Sequence, residues 1–228
     1  MENETKQLKL AAQAPKYHQW IYDSVQEFIG ENILEVGCGI GTMTRFIKNK
    51  PHVLCIDPSG ERIRAISSRF KGHNNLRFIK GDITHANLLK NNYFDTILCT
   101  NVLEHISDDT AALKEMHTLL QREGHLILFV PALQWLYGTT DAYVNHVRRY
   151  SKRGLQDKLK KAGFNITKAK YMNILGIIGW GLYGKILAKP SISEGSLQSY
   201  DKLIPFLRVI ERWFAPIGLS LLVIAKKV

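Results

Sequence analysis

Ile33-Leu34-Glu35-Val36 runs straight into Gly37-Cys38-Gly39-Ile40-Gly41-Thr42, and this junction limits the folds open to the chain more than any other stretch. The apolar run reads as a short buried strand, and residues 42–48 place Met43, Phe46 and Ile47 at helical spacing. The turn between them carries glycine at alternate positions. Without a Cβ, Gly37, Gly39 and Gly41 let ligand atoms approach bare backbone at the start of a helix. A dinucleotide site more typically reads G-x-G-x-x-G, with its third glycine where this chain has Thr42. A tight strand-to-helix turn also needs glycine for structural reasons alone, so the motif by itself does not decide a function.

The chain downstream narrows the choice. Val53-Leu54-Cys55-Ile56 reads as a second strand ending at Asp57, twenty positions after Gly37, near where a βαβ unit presents a carboxylate to a ribose. An Asp before Pro58 also serves simply to begin a turn. A third strand over 76–80 leads to Gly81-Asp82-Ile83, and a fourth over 94–100 leads to Asn101-Val102-Leu103-Glu104-His105. Polar groups thus stand at the carboxyl ends of four successive strands, where open α/β sheets bind ligands. Leu126-Ile127-Leu128-Phe129-Val130 is continuously apolar, as for a strand covered on both faces, and Pro131 ends it. Strands alternating with helical patterns from 33 to 130 call for a parallel, doubly wound sheet.

Taken together, these motifs resemble the class I S-adenosylmethionine-dependent methyltransferases, over residues 20–164. The resemblance implies a Rossmann-like α/β fold. Its seven-stranded, mostly parallel sheet would have an antiparallel last strand, with a helical insertion before it. It implies S-adenosylmethionine as cofactor and S-adenosylhomocysteine as product. By the same resemblance, Glu35 and the turn of Gly37, Cys38, Gly39 and Gly41 cradle the methionine part. Asp57, with Pro58 beside it, holds the ribose hydroxyls; Asp82 and Ile83 flank the adenine; Asn101 and Val102 line the floor beside the sulfonium. Residues 101–106 resemble quinone-biosynthesis methyltransferases. Gly124-His125 departs from the usual Gly-Gly and is expected to alter a turn. Residues 146–164, from H-V-R-R-Y-S to A-G-F, resemble a bacterial group associated with envelope-glycan and lipid pathways.

At 228 residues, 45% hydrophobic and 22% charged, the chain suits one folded domain with an insertion. Cys38, Cys55 and Cys99 fall in or beside strands without metal-ligand spacing, which reads as buried thiols in a reducing compartment. Glu2, Glu4, Lys6 and Lys9 leave no apolar signal core near the start, so a cytoplasmic protein is expected. The net charge of +11 is uneven: residues 1–141 hold 15 basic and 16 acidic side chains, residues 142–228 hold 16 and 4. That asymmetry suits an anionic partner (an anionic membrane surface, a phosphorylated acceptor or nucleic acid) as well as a merely soluble basic face.

Residues 14–29 carry a helical apolar stripe that Gly30 ends, forming an N-terminal cap over 1–30 with Tyr17 and Trp20 as lid candidates. Residues 134–150 form a long connection rich in aromatic and basic groups, and Ser151 caps a helix closed at Gly163. Strands over 164–171 and 219–225 make an antiparallel pair around an insertion at 174–216. Its two apolar segments are too short and too interrupted to span a bilayer. With Trp180, Trp213, Lys185 and Lys189, they suit a helical pair resting on anionic lipid, or a core or homodimer contact; the sequence is compatible with monomer or homodimer.

Methyl transfer from a sulfonium is an in-line displacement in which the protein positions two reactants and excludes water; a hydroxyl acceptor must also lose a proton. His105 and His146 are the candidate bases, His146 with Asp141 upstream to orient it. Arg148 and Arg149 are candidates to clamp an anionic acceptor, with Trp135, Tyr143 and Tyr17 beside it. No metal set is visible, because the histidines are scattered. The favoured reading is methyl transfer to a small-molecule or lipid-linked acceptor, on oxygen. The alternatives are an RNA methyltransferase using the basic half, for which no RNA-binding module is recognisable, and a cofactor-binding protein without turnover.

Overall fold

The computed structural model describes residues 8–89, 93–182, 187, 193–213 and 216–228. Lys185, Lys189 and the side chain of Trp213 lie outside the described residues, as do Glu2, Glu4 and Lys6.

Seven strands form one sheet in the order β3-β2-β1-β4-β5-β7-β6. They are β1 (Asn32–Val36), β2 (His52–Asp57), β3 (Leu76–Lys80), β4 (Phe94–Thr100), β5 (Leu120–Pro131), β6 (Phe164–Met172) and β7 (Ser220–Lys227). β1 to β5 pair in parallel, and β7 runs antiparallel between β5 and β6. The period of two in the strands divides the core. Leu34, Ile97 and Leu128 face one side, where helices α4 (Asp109–Leu119) and α6 (Lys152–Lys161) deliver Leu113, Met116, Leu155 and Leu159. Ile33, Leu98 and Ile127 face the other, covered by Trp20 and Ile21 of α1 (Pro15–Asp23), by Ile47 of α2 (Thr44–Ile47) and by Ile66 of α3 (Gly60–Arg69).

Local chemistry sets the joints. Ser59 caps α3 by accepting from Arg62 N at 3.3 Å, and Asp108 caps α4 by accepting from Ala111 N at 2.9 Å. Ser151 caps α6, accepting from Gly154 N at 3.1 Å, and Gly163 follows it at φ +97°. The fourth-strand Asp95 reaches sideways to accept from Glu31 N and Asn32 N, each at 2.8 Å, fixing the entry to β1.

Three expectations need correction. The N-terminal helix ends at Asp23, and a separate 3-10 turn covers Gln26–Phe28, because the chain drops fully buried Val25 into the core instead of keeping the helical stripe to Gly30. Trp20 is likewise a core residue and not part of a lid. β5 starts at Leu120: it pairs with Phe94, bulges over 121–124, and resumes register at His125 opposite Thr96. A Cβ on Gly124 would lie 2.9 Å from the Gln121 carbonyl oxygen and 3.1 Å from that of Asp95, so the bulge favours glycine there.

The insertion leaves the sheet as α7 (Ile174–Gly181) and returns as α8 (Glu194–Trp213). Its ends are tied together: Leu219 N donates to Asn173 O at 3.0 Å, and Glu211 of α8 accepts from Asn173 N and Ile174 N at 2.8 and 2.7 Å. No helix among the described residues is long and apolar enough to cross a membrane.

At the glycine turn, Gly41 adopts φ +84°, and a Cβ there would lie 2.7 Å from Phe70 Cε2. Gly41→Ala is expected to destabilise the protein by about 2–4 kcal/mol through backbone strain and overpacking, read by urea unfolding.

Candidate functional site

A cavity of about 990 Å³ opens over the carboxyl ends of β1, β2 and β4. Its floor starts at the glycine turn. Gly37 and Gly39 take φ +71° and +55°, and a Cβ on Gly37 would overlap the Val102 side chain. Glycine is therefore required twice, for the conformation and for the close approach of the loop after β4. Gly37 N donates to Ile56 O at 2.8 Å, locking the turn to the end of β2.

Two acids stand around this turn. Glu35 is buried; its Oε2 accepts from Thr44 Oγ1 at 2.6 Å and from Cys55 Sγ at 3.4 Å. Burial outweighs these bonds and pushes its carboxyl up to about 7. Asp57 Oδ1 accepts from Ser59 N and Arg62 Nε, both at 2.8 Å, and Oδ2 accepts from Gly39 N at 3.0 Å. An ionised carboxylate has about four lone-pair sites, so the Oδ2 side keeps one for a ligand hydroxyl.

The cavity continues past Pro58, Asp82, Ile83, Asn101 and Val102. Asp82 is exposed and accepts from Thr84 N and Oγ1, while Ile83 is buried. Asn101, at φ 53°, donates its backbone N–H to Phe129 O at 2.7 Å. The N-terminal segment closes one side with Leu8, Ala11, Tyr17 and His18. Tyr17 shares a hydrogen bond with Ser220 at 3.3 Å. His18 is buried with Nδ1 2.8 Å from Ala14 O, and desolvation lowers its pKa to about 4, so it is a neutral wall residue near pH 7.

The far end is built on Asp141, which belongs to α5 (Thr139–Tyr143). Its Oδ1 lies 2.8 Å from His146 Nδ1 and accepts from Arg149 Nε at 2.9 Å; its Oδ2 accepts from Gly138 N and Trp180 Nε1, both at 3.1 Å. Burial alone would raise this carboxyl, but His146, Arg149 and Trp180 outweigh it and hold it below the usual carboxylate value. The Arg149 guanidinium also lies 4.9 Å from the Trp180 ring centroid, so α7 is fastened to the loop by both a hydrogen bond and a cation–π contact. His105 and His146 meet edge to face with ring centroids 4.8 Å apart, and both line the cavity.

Of the expected acceptor residues, Tyr17 and Arg149 line the cavity; Arg148, Trp135 and Tyr143 do not. Arg148 turns the other way, donating from Nη1 to Asp109 Oδ2 and from Nη2 to Ser107 O, each at 2.7 Å. Its ion pair with the acid at the start of α4 explains why two arginines side by side part company. Trp135 is exposed. Sequence reasoning did not single out Glu104, Trp180 as a partner of Asp141, or His18 as site residues. Glu104 is fully buried, neither carboxylate oxygen has a hydrogen-bond partner, and burial pushes its carboxyl up to about 8. An acid within a helix-like motif gives no sign in sequence that it is buried and unpaired.

The family described as "Methyltransferase domain" matches residues 34–128. A tRNA U34 carboxymethyltransferase from Sulfurovum sp. is 36% identical over 107 residues, covering 43% of this chain and 34% of that protein. A malonyl-[acyl-carrier protein] O-methyltransferase from Halalkalibacterium halodurans is 22% identical over 185 residues, 79% of this chain and 64% of that one. The chain thus spans less than two thirds of the length of either. The crystal structure of an S-adenosylmethionine-dependent methyltransferase from Mesorhizobium loti superposes with a TM-score of 0.64 at 15% identity, covering 91% of this chain and 98% of that one. That likeness places the sheet and its order in the same fold.

Because the folded-state value of Glu35 lies above its ordinary 4.5, the native protein keeps a proton that the unfolded chain releases between about pH 4.5 and 7. This contribution to stability is complete below about pH 4.5 and is lost as pH rises to about 7, costing up to about 3 kcal/mol. Glu35→Gln should flatten the pH dependence of urea unfolding between pH 5 and 8 relative to wild type.

Proposed function

We propose that this chain, which carries a class I S-adenosylmethionine-dependent methyltransferase domain, binds S-adenosylmethionine over its glycine turn and transfers the methyl group to oxygen on a small amphiphilic acceptor. The observation that carries this reading is a single cavity joining the glycine turn and Asp57 at one end to His105, His146, Arg149 and α7 at the other. The residues present fit the cofactor. Gly37, Cys38 and Gly39 offer bare backbone to the methionine part beside Glu35 and Gly41. Asp57 has acceptor capacity left for a ribose hydroxyl, with Pro58 next to it. Ile83 and Asp82 give an apolar and a polar edge for the adenine, and Asn101 and Val102 form the floor. When bound, the cofactor supplies an electrophilic methyl group on a sulfonium.

What remains for this chain's own side chains is to seat the acceptor and keep water out. Tyr17 and Arg149 bound the acceptor end, Arg149 already paired with Asp141 and so a wall of that end. His105 and His146 present imidazoles there, chemistry appropriate to an oxygen that must lose its proton. The lipid-linked character of the acceptor is supported by the insertion. Of the thirteen large apolar side chains exposed among the described residues, eight lie within 174–216, including Ile178, Phe206 and Val209. The same insertion supplies Leu175, Gly176, Gly179, Trp180 and Tyr200 to the cavity wall. An acceptor drawn from a lipid surface would meet both faces. An RNA acceptor is the second reading, favoured by the basic C-terminal half and by the name of the Sulfurovum relative.

Calorimetry should give S-adenosylhomocysteine binding and no NAD binding. Asp57→Ala should weaken S-adenosylhomocysteine by about 1.5–3 kcal/mol, roughly ten- to hundredfold; unchanged affinity would make Asp57 a turn residue only. Radiolabelled methyl groups should enter a lipid extract in preference to a tRNA fraction, and the reverse would favour the second reading. In flotation with anionic vesicles, the protein should rise at low salt and be released by salt, since surface charges are screened. Protein left wholly below the vesicles would argue that the exposed apolar face packs on a second copy.

A further inference from the structure

Three ligand-type side chains that the sequence keeps apart converge at the acceptor end of the cavity. Glu104 and His105 sit on the 3-10 turn Leu103–His105 after β4, and His146 arrives from the loop that follows α5. Their donor atoms all lie within 4.8 Å of one another, with Glu104 Oε1 3.8 Å from His146 Nε2. The carboxylate is completely buried, yet neither of its oxygens has a hydrogen-bond partner. Proteins rarely leave a buried acid in that condition, because an unpaired group loses its water without compensation.

The environment of His146 bears on what fills this gap. Asp141 can only accept, so a neutral His146 ring donates from Nδ1 and carries its lone pair on Nε2, the atom nearest Glu104. Asp141 is itself fixed by Gly138, Arg149 and Trp180, so the ring is held in that orientation. A carboxylate behind an imidazole, steering its other nitrogen, is the arrangement that supports metal-bound histidines.

We propose that Glu104, His105 and His146 bind a divalent cation of the zinc type. Two imidazoles and one carboxylate suit zinc and its first-row neighbours better than magnesium or calcium, which favour all-oxygen surroundings. Three protein ligands leave at least one position open. The histidines line the cavity, so that position faces the acceptor and gives the ion its way in. For three atoms no more than 4.8 Å apart, some point lies within about 2.8 Å of all of them, so side-chain shifts of under about 1 Å reach the ~2.0–2.2 Å bonds zinc requires. The cation offsets the buried charge of Glu104. The ion's site stands on the cluster alone. With the ion bound, His105 and His146 would be ligands in place of free bases, and the ion would lower the proton affinity of an acceptor oxygen, a use that rests on the methyltransferase reading.

The test uses the full chain, stripped with a chelator and titrated with zinc by calorimetry, with magnesium as comparison. The expected result is one zinc per chain and no comparable magnesium binding. Glu104→Gln and His146→Ala should each weaken zinc at least tenfold, while S-adenosylhomocysteine affinity, measured on the same samples, stays at the wild-type value and reports that the fold is intact. Cys38→Ser with Cys55→Ser should leave zinc binding unchanged. Cobalt substituted into the wild type gives a readout that needs no variant: visible bands of a nitrogen- and oxygen-ligated ion without thiolate charge-transfer absorption. No stoichiometric zinc, equal binding by the Glu104 and His146 variants, or a thiolate signature would each overturn the proposal. Loss of S-adenosylhomocysteine binding by the wild type would sink the cofactor reading and leave the zinc result to be judged separately.

Discussion

The end of the cavity formed by His105, His146, Arg149 and α7 hangs on one carboxylate. Asp141 is removed from solvent and receives four donors, from Gly138, His146, Arg149 and Trp180. Each comes from a different piece of chain, namely a turn, the loop after α5, the segment leading to α6, and the insertion. A buried carboxylate is costly unless its lone pairs are filled, so these partners cannot leave one at a time without exposing the charge to an apolar surround. Removing the Asp141 carboxylate would therefore loosen the histidine ring and the Trp180 indole together, while the Arg149 guanidinium would keep its Nη1 bond to Ala132 O at 2.9 Å. The glycine-turn end has a counterpart in Asp57, which joins the turn to the start of α3 by the same means.

These two hubs differ in what the sequence discloses. Asp57 ends an apolar run at a fixed distance from Gly37, and such spacing follows from the length of one strand–helix–strand unit, so its place was legible. The same holds for the strands with strict alternation and for Ser59, Asp108 and Ser151 as caps, because caps and periodicity are local. Asp141 and Glu104 act through contacts that span the fold. Nothing within several residues of Glu104 says that His146 will face it. Arg148 and Arg149 look equivalent in sequence, yet Asp109 takes one and Asp141 the other. The limits of the N-terminal helix and the early start of β5 were missed for a related reason: burial of Val25 and the pairing of Leu120 with Phe94 are tertiary demands that override local pattern.

The sheet itself explains why chemistry gathers at one edge. Parallel pairing from β3 through β5 brings the ends of β1, β2 and β4 to the same side, and the loops after them must turn away from a sheet covered on both faces. Gly37 and Val102 are pressed together by that crowding, which leaves bare backbone at this part of the cavity floor.

The knot at the base of the insertion has a consequence for how such a protein diversifies. Leu219 is bonded to Asn173, and Gly218 sits so close to the Met172 backbone that a side chain there would overlap it. The excursion thus begins and ends at one point of the sheet edge, like a loop of thread drawn through a single stitch. Between those ends the described part of the excursion is also tied down, by Trp180 on Asp141, by Asp201 accepting from Tyr17 N at 2.9 Å, and by Ile204 and Leu207 in one buried cluster with Leu222 and Ile224 of β7. A lineage that replaced that excursion would keep both fixed ends at the sheet edge, but the new segment would have to refill what Ile204 and Leu207 bury and find partners again for the first turn of α1 and for Asp141.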